Sequence, residues 1–336
     1  MTEITRLRRR AKTARLDSIG VFLPVTWSYL ARLDEVPCDI FLRVGRRPVL
    51  YATTGANPET LREKAIQRVP MVVREADSYL LRRMLTVSLG RTLSDQRLSP
   101  TERSREAYGI AATIVGETLK TSTKFDADEA TLAEETIDLL TRTLSEEDDT
   151  LWAMVASMQR NLVTHNHAIN IAIYSLALAK RNGIADPDQL RDIGRGALLA
   201  DIGLTTVPTR VLDNPNDLDP QEARALRMHP AVGYAIVTRA IGEAPPYAHI
   251  ILEHHERLDG SGYPAGRKAS QIALDAQIVA IADTYDTLTT VRPGQVALTA
   301  FQACQEMRFA RLGQFNSELT GEFIELLGGW TSIRVA

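Results

Sequence analysis

Residues 167–179 read HAINIAIYSLALA. Across the window 166–181, apolar side chains recur at 169, 172, 173, 176 and 177, the spacing of one helix face. Asn182-Gly183 then supplies a stop, because glycine takes the left-handed conformation that closes a helix. Asp186-Pro187 opens the next helix, which runs to about 200 with Leu190, Ile193, Ala197 and Leu198 turned inward. Asp219-Pro220-Gln221-Glu222 is a variant capping box with proline at the first helical position. Further helices are expected over 230–241, 246–256, 275–290, 295–309 and 317–327. The region 150–336 therefore reads as an all-helical bundle.

Upstream the pattern changes. Residues 36–54, VPCDIFLRVGRRPVLYATT, predict two strands around a Gly45-Arg46-Arg47 turn. Asn57-Pro58 predicts a cap and a short helix over 58–68, and 70–74 a third strand. Residues 1–85 thus form a small α+β regulatory or accessory domain. Residues 86–149 read as a helical connector, with the polar run SEEDDT at 145–150 near its end. The expected fold class is mostly α.

The bulk numbers narrow the function. The 336 residues are 44% hydrophobic, enough for a sizeable core. A net charge of -3 creates no global positive field, so DNA is not an expected partner. The basic start, with Arg6, Arg8, Arg9, Arg10, Lys12 and Arg15, reads as a solvated tail. Cys38 and Cys304 stand far apart and outside any CxxC pair, which points to a reducing compartment. No apolar run reaches the roughly 20 residues of a membrane span, and GVFLPV is too short for a signal-peptide core. A cytoplasmic location is expected.

All six histidines fall between positions 165 and 255. His254-His255 stand next to a turn with two glycines, in EHHERLDGSGYP at 253–264. Asp201 and Asp283 each put a carboxylate where the apolar pattern predicts burial, and a buried carboxylate must be paired, hydrogen-bonded or metal-bound. Imidazoles and carboxylates on facing helices are the usual donors of Zn, Fe and Mn sites. His249 alone on an amphipathic stretch reads as a packing or surface residue.

The stretch HHERLDGSGYP, at 254–264, resembles the signature of the HD-GYP family, a branch of the HD superfamily of metal-dependent phosphohydrolases. HAINIAIYSLALA from 167, LLADIGLTTVPTRVL from 198, MHPAVGYAIV from 228 and QIVAIADTYDTLTTVRP from 277 resemble its other motifs in order, so the likeness covers about 150–336. The resemblance implies hydrolysis of cyclic di-GMP to the linear dinucleotide and GMP at one or two divalent cations, with Fe or Mn expected and no organic cofactor. It implies that Asp201, His229, His254 and His255 hold one metal, and that His167, Asp201 and Asp283 hold the other. Asp201 and His255 take the catalytic roles. Arg292, Gly262 and Tyr263 contact the nucleotide.

The chain departs from the family pattern in places. Ala200 stands where the HD histidine belongs, and Leu204 where a phosphate-contacting lysine is usual. Val163 replaces a glutamate found in some members, and Gly294 and Gln295 replace a tyrosine and a basic residue. Slowed or lost hydrolysis is the expectation. The alternative is a non-catalytic module that binds cyclic di-GMP, or a diguanylate cyclase through the 259–264 loop, and a homodimer is compatible with the connector.

Overall fold

The computed structural model describes residues 22–25, 30, 33, 35–44, 47–61, 70–121, 125–146, 148–158, 167–214, 217–292 and 296–332. Its backbone is mostly helical with one small sheet. The chain forms two compact units, Met1–Ser94 and Asp95–Ala336.

The first unit holds a four-stranded antiparallel sheet in the order β1-β4-β2-β3. The strands are β1 (Phe22–Val25), β2 (Ile40–Val44), β3 (Arg47–Ala52) and β4 (Met71–Arg74). The expected hairpin is β2 and β3, paired from Val44↔Arg47 to Ile40↔Ala52, and β4 is the expected third strand. The sequence reading assigns no strand to 22–25, where β1 forms with Pro24 inside it. It is tolerated at a sheet edge, where a missing N–H breaks no ladder bond. Phe22 meets Phe41 edge to face, with ring centroids 5.1 Å apart. The helix expected over 58–68 is a short 3-10 turn, Pro58–Leu61, in its described part. Helix Glu75–Ser94 completes this unit, while helices Pro100–Thr121, Ala127–Glu146 and Asp148–Met158 belong to the second.

Helix His167–Arg181 is the axis of the second unit. Every side chain from Ala168 to Ala179 is buried, so helices surround it on all sides. Helices Pro187–Leu199 and Leu274–Thr289 are its principal neighbours. Tyr174, Tyr285 and Phe323 form an edge-to-face cluster with centroids 5.3–5.8 Å apart, tying it to helix Ser317–Ser332 as well. The predicted caps are present: Gly183 has φ 80°, Asp186 accepts from the Asp188 N–H, and Asp219 and Glu222 complete their capping box.

Two boundaries differ from the periodicity. The helix expected over 246–256 is Ala248–Glu253, because the Glu256 N–H bonds back three residues to the Glu253 carbonyl and tightens the chain into a turn. The helix expected over 295–309 starts at Ala300, where the Thr299 side chain caps it, and passes into a π-helical turn at Glu306–Ala310.

Two glycines set the spacing that the site needs. A Cβ on Gly196 would lie 2.7 Å from Ile250 Cβ, so helices Pro187–Leu199 and Ala248–Glu253 touch backbone to side chain there. A Cβ on Gly203 would lie 2.0 Å from the His229 carbonyl oxygen and 2.8 Å from the Gly233 nitrogen. The 3-10 turn Ile202–Thr206 therefore sits directly on helix His229–Ile241. Gly203→Ala is expected to lower stability by about 1–3 kcal/mol, the usual cost of forcing an extra methyl into a packed contact. Gly116→Ala, in open space inside helix Pro100–Thr121, is expected to be neutral or to stabilise by up to about 1 kcal/mol. Thermal unfolding of both variants checks this; equal melting temperatures would contradict the contact.

Candidate metal centre

The site is built around one carboxylate. Helix Pro187–Leu199 ends at Ala200, and Asp201 follows at the start of the 3-10 turn, where the Leu204 N–H bonds to its carbonyl at 2.9 Å. Because Gly203 lets this turn lie against helix His229–Ile241, Asp201 Oδ1 comes within 3.1 Å of His229 Nε2. His254 Nε2 is 3.7 Å from the same oxygen. The other oxygen, Oδ2, is 3.4 Å from His167 Nε2. Asp283, buried on helix Leu274–Thr289, places Oδ1 3.1 Å from His167 Nε2 and Oδ2 3.6 Å from His255 Nδ1.

Hydrogen bonds fix which ring nitrogens face inward. His229 Nδ1 donates to the Leu226 carbonyl at 2.7 Å, and His254 Nδ1 to the Ile251 carbonyl at 2.9 Å. A carbonyl only accepts, so each Nδ1 carries the proton and each Nε2 presents a lone pair. These two Nε2 atoms lie 3.4 Å apart and both face Asp201. Lone pairs converging on a carboxylate repel one another unless a cation sits among them. One ligand atom each from Asp201, His229, His254 and His255 falls within 4.8 Å of the others, a donor set that fits a transition-metal ion. His167 is held in the same manner, its Nδ1 donating to Asp286 Oδ2 at 2.6 Å. Its Nε2 points between Asp201 and Asp283.

The carboxylates and imidazoles shift one another's protonation, and His229 is raised despite burial by the adjacent Asp201. Burial alone would raise the Asp201 carboxyl, but the imidazoles of His167, His229 and His254 that surround it outweigh this and hold the group well below the usual carboxylate range. Asp283 is likewise lowered, against the burial penalty, chiefly by its hydrogen bond to His167. Burial pushes the His255 imidazole well below its ordinary value, aided by the neighbouring His254, so it is neutral and able to donate a lone pair. His167 is raised despite burial, because Asp201, Asp283 and Asp286 surround it.

The turn after the histidines forms one wall. A Cβ on Gly262 would lie 2.4 Å from the Arg257 nitrogen and 2.5 Å from the His255 carbonyl oxygen, so only glycine fits. The Tyr263 N–H bonds to that same carbonyl at 3.1 Å, and the Tyr263–Pro264 peptide is cis. The Tyr263 ring then lies over His255, with centroids 4.6 Å apart, and the Arg227 guanidinium lies 5.3 Å from the Tyr263 centroid. The charge of Arg292 opposes protonation of His167, a smaller influence than burial and the three carboxylates.

Residues 148–319, slightly more than half of the chain, match the HD domain family. The chain belongs to the HD domain family. Among curated relatives, it is 26% identical over 317 residues to the cyclic di-GMP phosphodiesterase PA4108 of Pseudomonas aeruginosa, covering 91% of this chain and 76% of that protein. It is 32% identical over 171 residues to the cyclic di-GMP phosphodiesterase of Thermotoga maritima, covering 51% of this chain but only 46% of that protein. In fold it resembles Bd1817, a HDG"Y"P protein from Bdellovibrio bacteriovorus, with TM-score 0.68 and 18% identity, over 92% of this chain and all of that one. The family implies divalent-metal binding.

In this HD domain the pair is Ala200-Asp201. Ala200 is buried, at 1% exposure, and carries no donor atom. Leu204 lies half-buried on the adjoining turn and brings no charge. His249 stands apart, its Nδ1 donating to the Pro246 carbonyl at 2.7 Å. The departures at Val163, Gly294 and Gln295, and His165, lie outside the described residues.

Sequence reasoning missed several supports. Asp286 sits one helical turn beyond Asp283 and Asn170 one turn beyond His167, the i,i+3 spacing that could have signalled both. Glu253 and Glu256 flank the histidine pair and anchor the wall. Buried Glu256 accepts from the N–H groups of Ala265 and Arg267 at 2.7 and 2.8 Å. Buried Glu253 accepts from Arg267 Nη1 at 2.5 Å and the Ala273 N–H at 3.0 Å. Glu256→Ala leaves two backbone donors without their acceptor, at about 1–3 kcal/mol each where they stay buried. It should expose the segment 257–268 to trypsin, at Arg257, Arg267 or Lys268. Limited proteolysis reads this directly, and a cleavage pattern identical to wild type would contradict the anchoring role.

Proposed function

We propose that the protein is a divalent-metal-dependent phosphodiesterase acting on cyclic di-GMP, yielding the linear dinucleotide and then GMP, in the cytoplasm. The observation that carries this reading is the convergent set Asp201, His229, His254 and His255, in which backbone carbonyls fix the inward nitrogens of His229 and His254. These four would hold one cation and His167, Asp201 and Asp283 the other, with Fe or Mn suited to imidazole and carboxylate donors. Bound divalent cations supply Lewis-acid chemistry, neutralising phosphate charge and making water nucleophilic near neutral pH. Asp201 and His255 lie closest to the reacting centre. Tyr263 offers an aromatic edge of the cleft to a guanine, and Gly262 keeps that wall close. Arg292, together with Arg227, supplies cations for phosphate oxygens where Leu204 supplies none. The names of the relatives from Pseudomonas aeruginosa and Thermotoga maritima support the choice of substrate.

Ala200 removes one donor from the position of His167, Asp201 and Asp283. Loss of a group merely supporting a ligand costs roughly 10–100-fold in affinity or activity, and loss of a ligand costs at least as much. Turnover is therefore expected to be slow. A second reading is favoured by Ala200 and Leu204 together: a non-catalytic receptor that binds cyclic di-GMP, or docks a diguanylate cyclase through the 259–264 loop, and pairs as a homodimer.

The deciding experiment incubates the purified protein, loaded anaerobically with Fe(II) or Mn(II), with cyclic di-GMP and separates the products by chromatography. Linear dinucleotide or GMP, abolished in His255→Ala, is the expected result. Metal bound with no product moves the protein to the receptor reading. Ala200→His is expected to raise both metal content and turnover, by about 10-fold or more. No gain in either would place the deficit elsewhere than position 200.

A further inference from the structure

The hydrogen bond that orients His167 does not end at Asp286. Asp286 Oδ2 accepts from His167 Nδ1 at 2.6 Å, and Oδ1 accepts from Asn170 Nδ2 at 2.8 Å. Asn170 Oδ1 in turn accepts from the Tyr108 hydroxyl at 2.7 Å. The three supports are buried: Asp286 is 3% exposed, and Asn170 and Tyr108 are 8% exposed. The order Tyr108, Asn170, Asp286, His167 has one direction. The hydroxyl donates to the amide oxygen, so the amide nitrogen must face Asp286. With one carboxylate oxygen filled by that amide, the other takes the imidazole N–H. His167 Nε2 is thereby aimed between Asp201 and Asp283.

Asn170 belongs to a helix whose remaining buried side chains are apolar apart from Tyr174 and Ser175. An apolar residue would fill that place without the desolvation cost of an amide, so a buried amide with both ends engaged points to a role beyond packing. Tyr108 lies on helix Pro100–Thr121, wholly outside residues 148–319 that match the HD domain. We propose that Tyr108 is a positioning residue for the metal centre, acting on His167 through Asn170 and Asp286, so that the functional unit begins with the Pro100–Thr121 helix rather than with the HD domain proper. The helix preceding the domain is then part of the site's second layer, and a shift of that helix changes the aim of a metal ligand. This inference rests on the metal reading above.

The test is a double-mutant cycle on the full chain with Mn(II) as probe. Affinity is measured anaerobically by competition with a fluorescent chelator for wild type, Tyr108→Phe, Asp286→Asn, His167→Ala and the Tyr108→Phe/His167→Ala double variant, with thermal melts to confirm folding. Asp286→Asn is expected to weaken binding by about 10–100-fold, the usual effect of losing a ligand's hydrogen-bond partner. Tyr108→Phe, one bond further out, is expected to weaken it by roughly 3–10-fold without unfolding the chain. In the His167→Ala background Tyr108→Phe should cause no further loss, because its route to the metal is gone. A merely structural tyrosine would give the same loss in both backgrounds, and that result overturns the relay. So does an unchanged affinity in Tyr108→Phe. Wild type that takes up no Mn(II) overturns the metal reading itself, and the relay with it.

Discussion

The structure of the second unit depends on one half-buried carboxylate facing several imidazoles. Asp201 offers one oxygen to His229 and His254 and the other to His167. A charged carboxylate in that place is costly unless every lone pair is satisfied. The surrounding backbone is arranged to satisfy it. Gly203 allows the turn carrying Asp201 to rest on the helix carrying His229, and Gly196 allows the helix before it to touch the one that leads to His254. The axial helix supplies His167 from the opposite side. Three segments distant in sequence are thus brought to within one ion's reach, beside His167 on the axial helix, by two positions where a methyl group does not fit.

The supports around the ligands matter as much as the ligands. Each inward-facing nitrogen of His229, His254 and His167 is set by what its other nitrogen does, a carbonyl in two cases and Asp286 in the third. Glu253 and Glu256 perform a similar task for the wall that carries Tyr263, by accepting backbone and guanidinium donors from the loop. With these anchors in place, the change at Ala200 subtracts a donor without dismantling the site. Asp201, His229, His254 and His255 present a convergent donor set beside Ala200, which carries no donor atom.

Much of this was legible in the sequence because it has a period. Helix His167–Arg181 and helix Leu274–Thr289 begin and end within a residue or two of where their apolar spacing and caps place them. The β2–β3 hairpin follows from its β-branched and aromatic residues. Asp201 and Asp283 stood out as carboxylates inside apolar runs. What stayed hidden has no local pattern. Strand β1 contains a proline that only its edge position excuses. The end of helix Ala248–Glu253 is set by a tight turn rather than by composition. Tyr108 and Asn170 are 62 residues apart and meet only in the fold. Glu253 and Glu256 read as ordinary charged neighbours until the loop closes over them.

In the proposed two-cation site, both positions share Asp201. Metal content per chain of Asp201→Asn, measured by elemental analysis after anaerobic loading with Fe(II) or Mn(II), tests it most directly. A folded protein that has lost most of its bound divalent metal is expected, since one position forfeits its sole carboxylate and the other one of its two. Retention of one or two ions per chain would contradict it.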